Sequence, residues 1–234
     1  MSSPSPKNVA ASIRQRLLNL AHQNQEDFNL ILARYAAERF LYRLSKSPDA
    51  PRFVLKGALV FLLWMSKPHR PTRDVDLLGF GDLSDEALRT IIRNVASMQV
   101  EPDGLKFDAA STAISDIREG QSYQGKRVAL RVNLENARIR LQIDIGTGDV
   151  VTPEPEIVTY PTCLDDMPGP RIRSYPPVSV VAEKTHILVD IGLLNSRMGH
   201  VVEYTQVIHD QSVRLGLTIG PVGTADGLQE RMVT

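Results

Sequence analysis

The hydrophobic pattern of the chain changes period at the proline-containing segment 47–51, and this change constrains the fold more than any other feature. Before it, apolar residues recur at helical spacing and predict two helices, at 8–21 and 27–44. After it, the apolar run 53–55 predicts a short buried strand. Residues 74–78 alternate between acidic and apolar side chains, as in a strand accessible at the edge of a sheet. Because proline clashes with a continuing helix, the segment separates two kinds of structure.

Further segments continue this mixed plan. Helices are predicted at 58–65, 83–98 and 179–194, a hairpin at 127–134 and 138–145, and one more strand near 157–160. The order of elements predicts an α+β (mixed α/β) fold with a sheet of modest size. It divides the chain into an N-terminal helical segment (1–52), a central core (53–165) and a C-terminal helical region with an atypical tail (166–234).

The composition narrows the class of protein. The 27 Lys and Arg residues balance the 27 Asp and Glu residues, so a nucleic acid would have to be met by a local cluster. The apolar run 58–65 is too short to cross a bilayer, and the first residues lack the apolar core of a signal peptide. The one cysteine, Cys163, excludes an internal disulfide and a cysteine-based zinc site. These features predict a cytoplasmic protein without a membrane partner.

Two aspartates, Asp74 and Asp76, are the first candidates for chemistry. Side chains two apart on a strand point to the same face, so these carboxylates would lie side by side. Carboxylates at close range repel, which raises one pKa unless a divalent cation holds both of them ionised. Magnesium takes hard oxygen ligands, commonly one or two carboxylates with substrate phosphates. A surface strand with alternating aspartates is the alternative interpretation of the same pattern.

Two further features bear on this choice. Residues 56–58 (Lys-Gly-Ala) form a turn after the buried strand, where backbone N–H groups at a helix start could cradle a phosphate. Asp144 lies between Ile143 and Ile145, where a buried charge without a partner is costly. Asp144 either faces solvent or joins the first two carboxylates around a metal ion, and the spacing leaves both open.

Five segments occur in an order that resembles the AbiEii/AbiGii nucleotidyltransferase toxin family, which includes the MenT-type toxins. They are Phe53-Val54-Leu55-Lys56-Gly57-Ala58, Arg70-x-Thr72-x-Asp74-x-Asp76, Ile143-Asp144-Ile145-Gly146-x-Gly148-Asp149, Val181-Ala182-Glu183-Lys184 and Asn195-Ser196-Arg197-Met198. The resemblance spans about 38–198, and the second segment with its upstream Lys-Gly is the most specific part.

The resemblance implies a polymerase-β-like nucleotidyltransferase core and a magnesium-dependent enzyme. It also implies a toxin of a toxin–antitoxin or phage-defence system, with an AbiEi-type antitoxin as its partner. Studied members transfer nucleotides from an NTP, some of them onto the 3′ end of tRNA. The expected activity is therefore transfer of NMP to an RNA acceptor, the tRNA 3′ end in particular.

Residue roles follow from the same resemblance. Asp74 and Asp76 would hold magnesium, and Asp144 would complete the metal site or act as a base on the incoming hydroxyl. Lys184 would contact the nucleotide phosphates and assist catalysis. The residues implied in nucleotide binding are Lys56, Gly57, Ala58, Arg70, Thr72 and Lys184.

The sequence departs from the family pattern after Met198. The family continues with Lys-Asp and a second Asp three residues on, whereas this chain has Gly199, His200 and then Glu203. Glu203 could replace the second carboxylate, but His200 is a poor ligand for a hard ion such as magnesium. The departure puts catalytic activity in question.

Positive charge for an RNA partner would have to come from local sets. Arg39, Arg43 and Lys46 share one face of the second predicted helix. Other basic residues flank the predicted site or lie on the hairpin: Arg70, Arg73, Lys126, Arg127, Arg131, Arg138 and Arg140. They could track a phosphate backbone together, although each one alone also fits a solvated charged face.

Three other functions fit the same residues. A nucleotidyltransferase could act on a small-molecule or protein hydroxyl instead of RNA. A degenerate NTP-binding module could engage only its antitoxin. A two-metal nuclease would also use Asp74, Asp76 and Asp144 but would not need the Lys-Gly turn.

Overall fold

One seven-stranded mixed sheet organises the chain in the computed structural model, which describes residues 8–64, 72–119 and 123–180. The helices are α1 (Val9–Asn24), α2 (Phe28–Lys46) and α3 (Asp85–Ala96), with short 3₁₀ helices at Ala50–Arg52 and Ala58–Leu63. The strands are β1 (Phe53–Lys56), β2 (Asp74–Gly79), β3 (Leu105–Glu119), β4 (Tyr123–Leu134), β5 (Ala137–Gly146), β6 (Glu156–Thr159) and β7 (Arg171–Ser174). The predicted α+β class is confirmed.

The strand order places β2 at the centre of the sheet. The order is β3-β4-β5-β2-β1-β7-β6, with β2 parallel to β5 and antiparallel to β1. The prediction that residues 74–78 form an edge-accessible strand is therefore wrong. The alternation in β2 separates the two faces of a central strand: Val75 and Leu77 are buried on one face, while Asp74 and Asp76 lie on the other.

Side-chain caps mark the starts of the first two helices. The side chain of Asn8 accepts a hydrogen bond from the N–H of Ala11, and that of Asp27 accepts one from the N–H of Leu30. Helix α2 packs against β5 and is also covered by α1 and α3. It is therefore buried on nearly all sides rather than along one stripe.

The burial of α2 corrects one functional prediction. Arg39 and Arg43 are 1% and 5% exposed, so they do not form a basic face for RNA with Lys46. Arg43 Nη1 and Nη2 donate to the two carboxylate oxygens of Asp103 at 2.6 and 3.1 Å, and Arg39 Nη1 donates to Glu38 Oε1 at 3.2 Å. The two arginines are counter-ions for buried acids, and only Lys46 is exposed.

Several elements differ from the expectation. The strands β3 and β7 were not predicted, whereas the hairpin of β4 and β5 lies where its pattern indicated. The helix predicted at 58–65 is a 3₁₀ helix that ends at Leu63 and buries three consecutive apolar residues, which suits a short, tight turn packed against β1 and β2. Most of the helix predicted at 179–194 lies outside the described residues.

The sheet and α1 to α3 belong to one compact unit that ends at Tyr175, and Pro176 begins a second unit. Only residues 176–180 of that second unit are described. In the described ranges, no helix combines the length and apolar character needed to span a bilayer.

Candidate active site

Three aspartates lie on neighbouring strands in the middle of the sheet. Asp74 and Asp76 are on β2, and Asp144 on β5 is the register partner of Asp76. Register partners, and residues two apart on one strand, point to the same face. The fold therefore brings the three predicted acids to one face, opposite the buried Val75 and Ile143.

The turn after β1 lies directly against Asp76. Gly57 has φ 72° and ψ −158°, a backbone conformation that residues with a side chain rarely adopt. A Cβ on Gly57 would come within 2.1 Å of Asp76 Oδ2. Lys56, the preceding residue, is the register partner of Asp76. The Lys-Gly turn and the Asp-x-Asp motif therefore lie against each other, and glycine is required at position 57 by both conformation and space.

Asp144 is held by an arginine on the adjacent strand. Arg127 on β4 is its register partner, and Arg127 Nε and Nη2 donate to Asp144 Oδ1 and Oδ2 at 2.8 and 2.7 Å. The side chain of Asp144 is 18% exposed and that of Arg127 is 41% exposed. The ion pair is thus a two-bond fork on the same face as Asp76, which satisfies the charge that would otherwise be costly in β5.

A second ion pair holds Lys56 on the other side of Asp76. The buried Lys56 Nζ donates to Asp149 Oδ2 at 2.7 Å, and the hydroxyl of Tyr175 donates to the same oxygen at 3.2 Å. The ammonium also lies 5.6 Å from the centre of the Tyr175 ring, within range of a cation–π contact. Asp149 lies in the loop after β5, so this loop fixes the lysine beside the carboxylates.

The donor set fits a magnesium ion held by a pair of carboxylates. In the part of the chain that the structure describes, no three His, Cys, Asp or Glu side chains are gathered closely enough to hold a metal ion by themselves. Magnesium needs only one or two carboxylates when water and substrate phosphates complete its shell. Asp74 and Asp76 supply such a pair on one face of β2, with the backbone of Gly57 packed against Asp76. Asp144 is adjacent but bonded to Arg127.

The other predicted site residues are less closely tied to this face. Ala58 opens the 3₁₀ helix after Gly57, and Thr72 lies partly exposed two residues before β2. Arg70 and Lys184 lie outside the described residues, so their roles remain predictions. Arg73 is exposed, and its Nη2 lies 3.8 Å from Asp27 Oδ1.

The basic hairpin is partly neutralised by acids. Lys126 Nζ lies 2.7 Å from both Asp85 Oδ1 and Asp116 Oδ1. Its hydrogen bonds to Asp116 and Asp85 raise the pKa of Lys126, so the ammonium stays charged and paired with these two carboxylates. Arg138 and Arg140 on β5 are exposed and remain candidates for contact with a polyanion.

Arg127, Asp149 and Tyr175 lie beside the predicted site residues, although the sequence did not single them out. Arg127 appeared only as one of several basic residues on the hairpin, and Asp149 only as the last residue of a quoted segment. Their contacts depend on strand register and on the path of the loop after β5, neither of which local spacing reveals.

Comparisons with known proteins bear on the same residues. The model of the family described as "Nucleotidyl transferase AbiEii toxin, Type IV TA system" matches residues 39–202. No curated protein matches the sequence. A crystal structure of JHP933 from Helicobacter pylori is 16% identical with a TM-score of 0.39, covering 62% of this chain and 51% of that one.

A second Helicobacter pylori structure, whose description proposes a nucleotidyltransferase, has the same identity and TM-score, covering 62% of this chain and 53% of its own. The chain thus spans about half the length of these two proteins. The family match includes β1, β2 and β5, which carry the acids and the Lys-Gly turn. The chain belongs to the AbiEii nucleotidyl transferase toxin family of type IV toxin–antitoxin systems.

Proposed function

We propose that this protein is a magnesium-dependent toxin that transfers NMP from an NTP to an RNA acceptor, the 3′ end of tRNA in the cytoplasm. An AbiEi-type antitoxin would be its partner. The observation that carries the proposal is the close approach of the Gly57 backbone to the Asp76 carboxylate, since a Cβ there would lie 2.1 Å from Oδ2. This contact places the backbone of the Lys-Gly turn, the proposed phosphate cradle, directly beside one carboxylate of the pair.

The reaction defines what the site must do. The acceptor hydroxyl oxygen forms a bond to the α-phosphorus of the NTP, while the bond from that phosphorus to the oxygen bridging to the β-phosphate breaks. Pyrophosphate leaves with the electron pair, and the hydroxyl proton passes to a base. A bound magnesium ion would supply positive charge to the α-phosphate and the departing pyrophosphate.

Residues of the chain divide these tasks. Asp74 and Asp76 would hold the ion, and the Gly57 turn with Ala58 would approach the phosphates through the backbone. The ammonium of Lys56, held by Asp149 at 2.7 Å, places positive charge next to Asp76. Arg70, Thr72 and Lys184 are proposed phosphate contacts. Asp144 would serve as a third ligand or as the base.

The test is incubation with labelled NTPs, magnesium and total tRNA. We expect label on RNA with the natural chain and at least a hundredfold loss with Asp76→Asn or Asp74→Asn, as for removal of an electrostatic catalytic group. Asp108→Asn is the matched control, because Asp108 is an aspartate of β3 that pairs with Arg131 rather than with the site. Circular dichroism of each variant separates loss of activity from loss of fold.

Other outcomes distinguish the alternatives. Label on a small molecule or on protein indicates a different acceptor hydroxyl. NTP binding without transfer indicates a degenerate module that engages only its antitoxin, consistent with the atypical residues Gly199 and His200. Shortened RNA indicates a nuclease.

A further inference from the structure

We infer that Arg127 competes with the metal ion for Asp144, so that the metal-free sheet carries a built-in counter-ion that metal binding must displace. The inference deepens the proposed function and rests on it, because it assumes that Asp74 and Asp76 take a divalent ion. It assigns Arg127 a role as a positioning residue that acts through Asp144.

The geometry of the ion pair supports competition. Both oxygens of Asp144 accept from Arg127, Oδ1 from Nε and Oδ2 from Nη2. Bidentate pairing of this kind is stronger than a single neutral hydrogen bond and fixes the carboxylate plane. A carboxylate oriented towards a guanidinium presents fewer lone pairs to a metal ion, and the positive charge of Arg127 disfavours a dication nearby.

The sheet register explains why a counter-ion is needed at this place. Asp76 and Asp144 are register partners on adjacent strands, which lie about 4.8 Å apart. Like charges directly opposite one another destabilise a sheet. Across the same row, Lys56 is the register partner of Asp76 and Arg127 that of Asp144, so cations flank the two acids on both sides. The flanking charges offset the repulsion when no ion is bound.

Partial exposure of the pair makes exchange feasible. Arg127 is 41% exposed and Asp144 18%, so the guanidinium can reach solvent when Asp144 turns to an ion. A fully buried pair would instead leave an uncompensated charge in the interior when it breaks.

The experiment measures binding of Mn²⁺ alone by titration calorimetry or electron paramagnetic resonance. Arg127→Gln should bind Mn²⁺ about tenfold more tightly than the natural chain, the equivalent of one charge-assisted hydrogen bond. Arg127→Lys should give a smaller gain, since an ammonium keeps the charge but not the fork. Arg131→Gln is the matched control: it removes the same charge from β4, where Arg131 pairs with Asp108, and should leave affinity unchanged.

A double variant and a stability measurement complete the test. The double variant with Arg127→Gln and Asp144→Asn should not bind Mn²⁺ more tightly than the natural chain, because the increase in affinity depends on the released carboxylate of Asp144. Without metal, Arg127→Gln should unfold at a lower temperature than the natural chain. Saturating Mn²⁺ should raise the unfolding midpoint of this variant by more than it raises that of the natural chain. Together, these results would support competition.

Contrary outcomes separate this inference from the proposed function. If the natural chain binds Mn²⁺ and Asp76→Asn abolishes binding, but Arg127→Gln binds equally or more weakly, competition is wrong while the metal site stands. A gain that persists in the double variant also overturns it, since the effect would then be general electrostatics. If the natural chain binds no Mn²⁺ either alone or with an NTP, the metal site fails and the inference fails with it.

Discussion

Gly57 is the residue whose replacement most directly tests the geometry of the site. Gly57→Ala should reduce NTP affinity and transfer at least tenfold, because its Cβ would lie 2.1 Å from Asp76 Oδ2 and the backbone φ of 72° would be strained. Gly81→Ala is the control for strain alone: φ is 80° there, but a Cβ would meet only the Arg52 side chain at 3.7 Å, an ordinary contact. Calorimetric titration with a non-hydrolysable NTP should separate the two variants. Equal losses in both would attribute the effect to backbone strain and not to the site.

Asp149 should fix the position of the Lys56 ammonium next to Asp76. Asp149→Asn removes the charge that holds Lys56 Nζ at 2.7 Å, so NTP affinity should fall several-fold while the helix signal is unchanged. Tyr175→Phe, which removes only the 3.2 Å hydrogen bond to Asp149, should have a smaller effect. If Tyr175→Phe has the larger effect, the tyrosine itself contacts the nucleotide, and Asp149 is not the residue that positions the lysine.

For individual residues, the sequence predicted local placement better than it predicted side-chain contacts. The shared face of Asp74 and Asp76 and the turn at Gly57 could be predicted because period-two spacing and a glycine after a strand are local signals. The pairing of Arg127 with Asp144 could not, since it depends on the register of β4 and β5.

Helix α2 contributes Glu38, Arg39 and Arg43 to a buried charge cluster that Asp103 completes. Loss of this cluster should destabilise the fold. Asp103→Asn should lower the free energy of unfolding by about 3–5 kcal/mol, because it leaves the buried Arg43 without a counter-ion. Lys46→Ala, on the same helix but exposed, should change it by about 0.5 kcal/mol or less. Urea unfolding measures both. If Asp103→Asn is as stable as the natural chain, the cluster does not contribute as described.

Glu38 on the same helix should give the unfolding free energy a distinct pH dependence. Burial raises the pKa of Glu38, opposed by the Cys163 N–H at 2.6 Å from Oε2 and by Arg39. The folded state therefore favours the neutral acid. Its contribution is complete below the unfolded-state pKa and is lost as pH rises through the folded-state pKa.

A comparison with Glu38→Gln isolates this contribution, since glutamine does not titrate. The unfolding free energy of the natural chain minus that of the variant should fall as pH rises from about 4 towards neutrality. Urea unfolding at a series of pH values tests this. A difference that stays constant or increases with pH would contradict the raised pKa.

Element prediction succeeded where the pattern was local and failed where partners were distant. The first two helices have apolar residues at helical spacing, and the β4–β5 hairpin has a short turn. Strand β3 was missed because its polar and apolar residues do not alternate regularly and it lies at the edge of the sheet. The burial of Arg43 could not be foreseen either, since its partner Asp103 is 60 residues away in sequence.

The strand order brings four charged residues that are far apart in the sequence into one row across the sheet. Arg127, Asp144, Asp76 and Lys56 are successive register partners across β4, β5, β2 and β1. The opposite face of β2 and β5 is apolar, so the same strands carry both the core and the site. Substitutions on the charged face should therefore affect binding more than folding, and the reverse should hold for the apolar face.

The compact unit that ends at Tyr175 should fold without the rest of the chain. It contains α1 to α3 and all seven strands, and the N–H of Tyr175 donates to the carbonyl oxygen of Leu55 at 2.9 Å, which ties its end to β1. A chain ended after residue 180 should therefore unfold cooperatively in urea. Its NTP affinity should fall about tenfold if Lys184 contributes one charged phosphate contact. Lys184→Ala in the full chain is the matched comparison and should lose a similar amount. A truncated chain that is unfolded would show that the unit depends on later residues, whereas full NTP affinity in both variants would remove Lys184 from the site.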